Sequence, residues 1–281
     1  MILTAVFGAW PIVGARLLLV PERHGGSPRV PDGYTAITIT APDGVALAAW
    51  FRPAEEPDRP LGVVLHGVTD DKRRGLRVAA LDARRRLNWL LLDLRAHGES
   101  GGDACTYGLL EKEDLSAAIG RAVESSGARV APKVAVYGES LGGAVALLAA
   151  ERDPRIVRVW TEAAFADLET AIADRFEKLA GFRSRFLVGL AVARAESVSP
   201  LRVAEVSPRS AAARLSIPLV VAHGTLDRHV LPVHAERIVD AARGAPRELY
   251  WVEGATHLDL WEKGGTAYRE RLVAFLVEGP G

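Results

Sequence analysis

Two hydrophobic periods alternate along the chain. Tyr34–Thr40 reads polar and apolar by turns, and after Pro42-Asp43-Gly44 the apolar run Val45–Phe51 reads as the returning strand. That pattern predicts an opening β-hairpin. Short, mostly apolar runs follow at Leu61–Leu65, Trp89–Asp93, Val134–Tyr137, Ile156–Trp160, Ile217–Ala222 and Glu248–Val252. Runs of this length, rich in valine and leucine, are expected of strands covered on both faces, as in a parallel sheet. Between them lie stretches of helical spacing. Leu115, Ile119 and Val123 share one face of Glu111–Glu124, and further helices are expected at Ala144–Ala150, Val233–Ala242 and Thr266–Val277. The basic stretch that follows Asp70, through Arg86, also reads as helical, and Pro132 is expected to lead into the elbow strand. Strand and helix alternate throughout, so the fold class is α/β, with a mainly parallel, doubly wound sheet. Phe165–Leu215 contains no clear strand; Leu168, Ile172, Phe176 and Leu179 fall at helical spacing there, which predicts a helical insertion over about 165–215.

The strand at Val134 ends abruptly in Gly138-Glu139-Ser140-Leu141-Gly142, and an alanine- and leucine-rich helix begins at once. Strand, Gly-x-Ser-x-Gly turn and helix together make a nucleophile elbow, where a serine sits exposed on a strained turn. Ligands of open α/β sheets bind beyond the carboxyl ends of the strands. Val68, Ser140, Asp227 and His257 each lie just after a strand. A serine hydroxyl needs a base within hydrogen-bond reach, histidine suits that role near neutral pH, and a carboxylate behind it fixes the tautomer. Asp259 competes with Asp227 for the last role but stands too near His257 along the chain to orient it easily. His66, His97 and His223 adjoin glycines at strand ends and are expected to shape loops, with His66 a candidate lining residue. His229 and His234 read as surface or structural positions, and Cys105 as a loop thiol.

Five ordered motifs, LGVVLHG, DLRAHGESGG, VAVYGESLGGAVAL, PLVVAHGTLD and GATH, make the chain resemble the α/β-hydrolases, and within them the serine-aminopeptidase-like, Bem46-like esterases and acyl hydrolases. The resemblance runs from about residue 34 to the C-terminus. It implies Ser140 as nucleophile, Asp227 as acid, His257 as base, and the N–H groups of Val68 and Leu141 as an oxyanion hole. It also implies a helical cap over the strand ends, in which Phe165, Phe176, Phe182, Phe186 and Leu187 either line an acyl pocket or bury the helices against the core. The expected activity is hydrolysis of carboxylic esters of small to medium acyl chain through an acyl-enzyme. Amidase, aminopeptidase and thioesterase activities share the machinery, and a non-catalytic binding module is the reading from another class.

Composition narrows the setting. Acids and bases balance at 35 each, which gives no basic surface for nucleic acid. No phosphate-binding glycine loop or metal-ligand spacing occurs, so neither cofactor nor metal is expected. The single Cys105 forms no internal disulfide, in keeping with a reducing, cytoplasmic compartment. Residues 1–30 form a separate N-terminal segment ahead of a hydrolase domain at 31–281. Ile2–Val20 is largely apolar but interrupted by Pro11, Gly14 and Arg16, and has neither a basic start nor an evident cleavage site. It is either a helix packed on the domain or a membrane anchor or interfacial helix through residues 1–20. Arginine greatly outnumbers lysine, asparagine and methionine occur once each, and glutamine is absent. Loss of thermolabile residues is a habit of heat-adapted proteins. The expected thermal midpoint lies above the roughly 45–65 °C of mesophile domains; calorimetry that placed it inside that range would remove the thermophilic reading.

Overall fold

In the computed structural model, residues 8–23, 26, 28–56, 58–127, 133–257 and 259–278 are described. Pro132 and residues 1–7 of the N-terminal segment lie outside them. The apolar runs form the centre of an eight-stranded sheet. Strands β3 (Leu61–Leu65), β4 (Asn88–Leu92) and β5 (Val134–Glu139) are buried along their whole length. With β1 (Thr35–Thr40), β2 (Ala46–Arg52), β6 (Ile156–Glu162), β7 (Leu219–Gly224) and β8 (Arg247–Val252), the order across the sheet is β1-β2-β4-β3-β5-β6-β7-β8. The opening hairpin is antiparallel, as is its junction with β4, and every pairing from β4 to β8 is parallel. The register aligns Leu65 with Gly138, and Glu139 with Glu162, which brings the carboxyl ends of β3, β5 and β6 level.

Both faces are covered, which is why the central strands lack polar alternation. Helices α3 (Glu111–Ser126), α4 (Leu141–Ala150) and α8 (Val233–Ala241) bury Leu115, Ile119, Val145, Leu147 and Ile238 on one face. Helix α9 (Leu260–Glu278) covers the other, where Tyr268, Leu272 and Phe275 meet Trp50, Trp89 and Trp160. It starts earlier than its spacing predicts and is broken at Gly265, whose φ of 61° no helix accommodates.

The basic segment after β3 departs from the expected helix. It forms a 3-10 turn at Lys72–Gly75 and a single turn, α2 (Leu76–Ala79), before irregular chain. Buried carboxylates capture the backbone instead: Asp82 accepts from the N–H groups of Arg86 and Leu87 and the Trp89 indole, and Asp93 accepts from the Lys72 N–H. Aspartates that bond nearby backbone compete in this way with helix continuation.

Between β6 and β7 lie α5 (Leu168–Ala180), α6 (Arg185–Val198), a 3-10 turn at Val203–Glu205 and α7 (Pro208–Ala212). Gly181, in the left-handed region at φ 78°, ends α5, and the Ser184 hydroxyl caps α6 by accepting from the Leu187 N–H. The N-terminal helix α1 (Trp10–Leu19) runs parallel to α6. The Trp10 indole donates to Leu187 O at 2.8 Å, and one turn on Gly14 faces Ala191 so closely that a Cβ there would stand 2.6 Å from the alanine methyl. Tyr107 and Cys105 fasten the end of α1 by donating to Leu18 O and Leu19 O. Among the described residues no helix is long and apolar enough to cross a membrane. Gly14→Leu is expected to unseat α1 from α6 while leaving the sheet folded. Limited proteolysis checks this: the variant should be trimmed before Val20 at protease levels that the wild type resists.

Candidate active site

The elbow is set by backbone crowding. A Cβ at Gly138 would collide with the carbonyl of Gly142, and one at Gly142 with the carbonyl of Leu65, so the turn closes only with glycine at both positions. Ser140 is held at φ 51°, ψ −110°, a strained conformation for a residue with a side chain. Its N–H donates to Glu162 O at 2.7 Å, which ties the strained residue to the end of β6. Helix α4 starts at the next residue and directs its N-terminal N–H groups toward the serine.

Three of the expected site residues are brought into one hydrogen-bonded row. His257 Nε2 lies 3.1 Å from Ser140 Oγ, and His257 Nδ1 lies 2.7 Å from Asp227 Oδ2. Asp227 is itself aimed. Its other oxygen accepts from the N–H groups of His229 (2.7 Å) and Val230 (3.0 Å), and the His223 Nε2–H is shared between Val230 O (2.9 Å) and Asp227 Oδ2 (3.3 Å). Burial opposes charge on this carboxyl, but the hydrogen bonds from His223 and His257 outweigh it and hold Asp227 far below the usual carboxylate range. Asp259 turns away, accepting the Thr256 N–H and hydroxyl.

Val68 sits on the strap after β3, beside a Thr69 with φ 65°. The strap lies against the elbow, since a Cβ on Gly67 would be 3.5 Å from Ser140 Cβ. The Val68 N–H meets no acceptor among the described residues. Leu141, as the first residue of α4, has none within its helix. Among the described residues neither N–H has an acceptor; Leu141 adjoins Ser140, and Val68 follows Gly67, which lies against it.

The other titratable candidates are placed elsewhere. His66 is buried, with Nδ1 on Gly67 O and Nε2 accepting from the Leu94 N–H, so both ring nitrogens are used; burial pushes its pKa down. His97 packs edge-on against it and is lowered by burial to about 4. His234 is buried beneath α5, accepting from the Ala166 N–H and contacting Asp174. The Cys105 thiol is fully buried and pushed up by that burial. No cluster of metal-ligating side chains occurs among the described residues. Of the aromatics proposed for an acyl pocket, Phe165 is core, Phe176 packs edge-on against Trp10, and Phe182 and Phe186 are more than half exposed.

Sequence reasoning missed several neighbours. His229 is an exposed residue whose ring stacks on His257 at 5.5 Å and receives an Arg175 N–H from α5 at 2.8 Å. Glu139, beside the nucleophile in the sequence, is buried and paired with Arg74 and Arg77. Nothing in the local pattern marks these pairs: Arg175 stands 54 residues from His229, and Arg74 and Arg77 stand 65 and 62 from Glu139.

Comparison with known proteins places the chain. A family model described as serine aminopeptidase, S33 matches residues 56–210, just over half of the sequence. The uncharacterized protein YfhR of Escherichia coli strain K12 is 28% identical over 258 residues, spanning 88% of this chain and 82% of its own. WAV2 of Arabidopsis thaliana, described as an alpha/beta hydrolase domain-containing protein, is 25% identical over 288 aligned residues, with 98% of this chain and 84% of its own covered. In fold, an esterase from Pyrococcus furiosus is similar with a TM-score of 0.73 at 23% identity, over 92% of this chain and 98% of that one. The chain belongs to the serine aminopeptidase S33 family within the α/β-hydrolase superfamily, and is a hydrolase.

Proposed function

We propose that the protein is a serine hydrolase of small-molecule carboxylic esters with small to medium acyl groups, with Ser140 as nucleophile, His257 as general base and Asp227 as its orienting acid. The observation that carries this reading is the row Asp227–His257–Ser140 at 2.7 and 3.1 Å beside two uncommitted N–H groups. His257 takes the Ser140 proton as Oγ bonds to the ester carbonyl carbon. The carbonyl oxygen becomes an oxyanion facing the Val68 and Leu141 N–H groups, each donor of this kind being worth about 3 kcal/mol. The carbon–oxygen bond to the alcohol then breaks, and His257 returns the proton to the departing oxygen. Water repeats the sequence on the acyl-enzyme and frees the acid. Esters are favoured over amides because an alkoxide leaves more readily than an amide nitrogen, so this machinery needs no further help at the leaving group. Asp227, kept ionised by its hydrogen bonds, stabilises the imidazolium in both halves.

A surface feature supports a place of work for the hydrolase domain (31–281) and its cap (about 165–215). Ile12 and Leu17 on the outer face of α1, and Leu179 and Phe182 at the turn between α5 and α6, are each more than half exposed. The edge-on stack of Trp10, Phe176 and Phe182 links α1 to the cap turn. In sequence, Arg16, Arg175, Lys178, Arg183 and Arg185 adjoin these positions, against Asp174 and Glu177 between residues 174 and 186, with Arg183 paired to Glu177 at 2.6 Å. An apolar face fringed with basic residues suits the surface of an anionic bilayer. The protein accordingly docks peripherally on membrane through α1 and the cap turn.

Turnover of p-nitrophenyl esters and labelling by a fluorophosphonate are expected to vanish together in Ser140→Ala; label without ester turnover in the wild type would move the reading to amides or peptides, and no label at all would favour a binding module. For docking, full-length protein should co-sediment with phosphatidylcholine vesicles that contain phosphatidylglycerol. The pair Leu179→Asp and Phe182→Asp should bind about tenfold more weakly while keeping soluble-ester turnover. A wild type that stays in the supernatant, or that instead doubles its mass in solution through this face, sinks the membrane reading.

A further inference from the structure

Behind Ser140 lies a buried charge cluster that the reaction as written does not use. Glu139, the last residue of β5, is only 5% exposed. Its carboxylate receives Arg74 through Nε (3.0 Å) and Nη2 (2.8 Å), and Arg77 through Nη2 (2.8 Å). Both arginines stand on the segment that follows Val68. Arg77 also reaches to 3.8 Å from Glu162 and lies over the Trp261 ring at 4.6 Å. Glu162 holds the Ser140 N–H through its backbone, and its carboxyl receives the Tyr137 and Tyr268 hydroxyls. Trp261 opens α9, four residues beyond His257. One point thus joins the Val68 strap, the elbow, the end of β6 and the chain leaving His257.

Burial alone would raise the Glu139 carboxyl, but the two arginines outweigh it and keep it below the ordinary range, with a smaller attraction from His257. Burial, reinforced by the charge of Glu139, pushes Glu162 the other way. A buried carboxylate between two guanidinium groups is expensive to leave unpaired, so the arrangement holds as a unit.

We propose that Glu139 is a positioning residue of the reaction: bound to Arg74 and Arg77, it sets the Val68 strap against the elbow so that both oxyanion donors face one point. The inference rests on Ser140 and His257 acting as assigned above.

The test is the rate of fluorophosphonate labelling and the kcat and KM of ester turnover in wild type, Glu139→Gln, Glu139→Asp and Arg77→Met, with thermal melts to establish folding. Glu139→Gln should lower kcat about tenfold or more with KM within about twofold, because the oxyanion donors act in the transition state. Arg77→Met should lower kcat in the same way, and Glu139→Asp, which keeps the carboxylate, should recover most of it. Should Glu139→Gln fail to fold, Arg77→Met and Glu139→Asp still decide. Folded variants that keep the wild-type kcat, or whose loss is in KM rather than kcat, overturn the inference alone. A wild type that is not labelled overturns the Ser140 reading and the inference with it.

Discussion

The contact on which the site depends is backbone against backbone: Gly142 on the carbonyl of Leu65, and Gly138 on that of Gly142. No side chain fits in that contact, so the elbow is wedged onto the end of β3 and the strap carrying Val68 must pass directly over Ser140. The strained φ of 51° at Ser140 follows from the same wedge, and it is held by the Glu162 carbonyl rather than by local propensity. Strain of this kind costs about 1–3 kcal/mol and persists only where surrounding packing over-determines it. Here the packing is the buried sheet, whose parallel register brings β3, β5 and β6 to one level.

From that wedge the rest of the site is built outward in layers that differ in rigidity. Asp227 is fixed by two backbone N–H groups and His223, so His257 meets a carboxylate whose direction is set before substrate arrives. Preorganisation of this sort avoids reorientation during the reaction. The cap is tied more lightly. Its links to the domain include His234 with Asp174, Arg175 with His229, and α1 laid along α6. A helix drawn from the far N-terminus thereby bears on the same cap helices that approach His257.

How much of this was legible in the sequence follows from how local each feature is. The strands, the elbow and the order Ser140, Asp227, His257 are written in contiguous runs, because each residue sits immediately after its own strand. The hairpin turn at Pro42-Asp43-Gly44 is equally local. The segment 71–86 misled because its helical spacing competes with carboxylates that capture its backbone, Asp82 within it holding the Arg86 and Leu87 N–H groups and Asp93 beyond it holding that of Lys72. Glu139 with Arg74 and Arg77, and His229 stacked on His257, are pairings across the fold. No periodicity marks them, and one charged residue among many looks like a solvated surface position until the sheet brings its partner near. The cap aromatics were ambiguous for a similar reason: helical spacing fixes which residues share a face, but not whether that face meets core, α1 or solvent.

The excess of arginine over lysine gains a physical meaning from these pairings. A guanidinium presents a planar fork that matches a carboxylate at two points, whereas an ammonium is a compact, strongly hydrated charge. Arg95 grips the buried Asp114 through two nitrogens at 2.6 Å, Arg214 takes Glu151 the same way at 2.7 and 2.8 Å, and Arg74 holds Glu139. The one deeply buried lysine, Lys72, is used differently: it sits between Asp93 and Glu99 beside the Trp50 ring, where a point charge satisfies two carboxylates at once. Burying such pairs yields little net stability, since desolvation offsets most of the attraction. Their geometric demand is the larger effect. A forked pair tolerates few alternative arrangements, so each fixes the relative position of two segments distant in sequence. At Glu139 the segments so fixed are those that bear Val68 and Ser140, which makes the arginine pair part of how the fold sets its site.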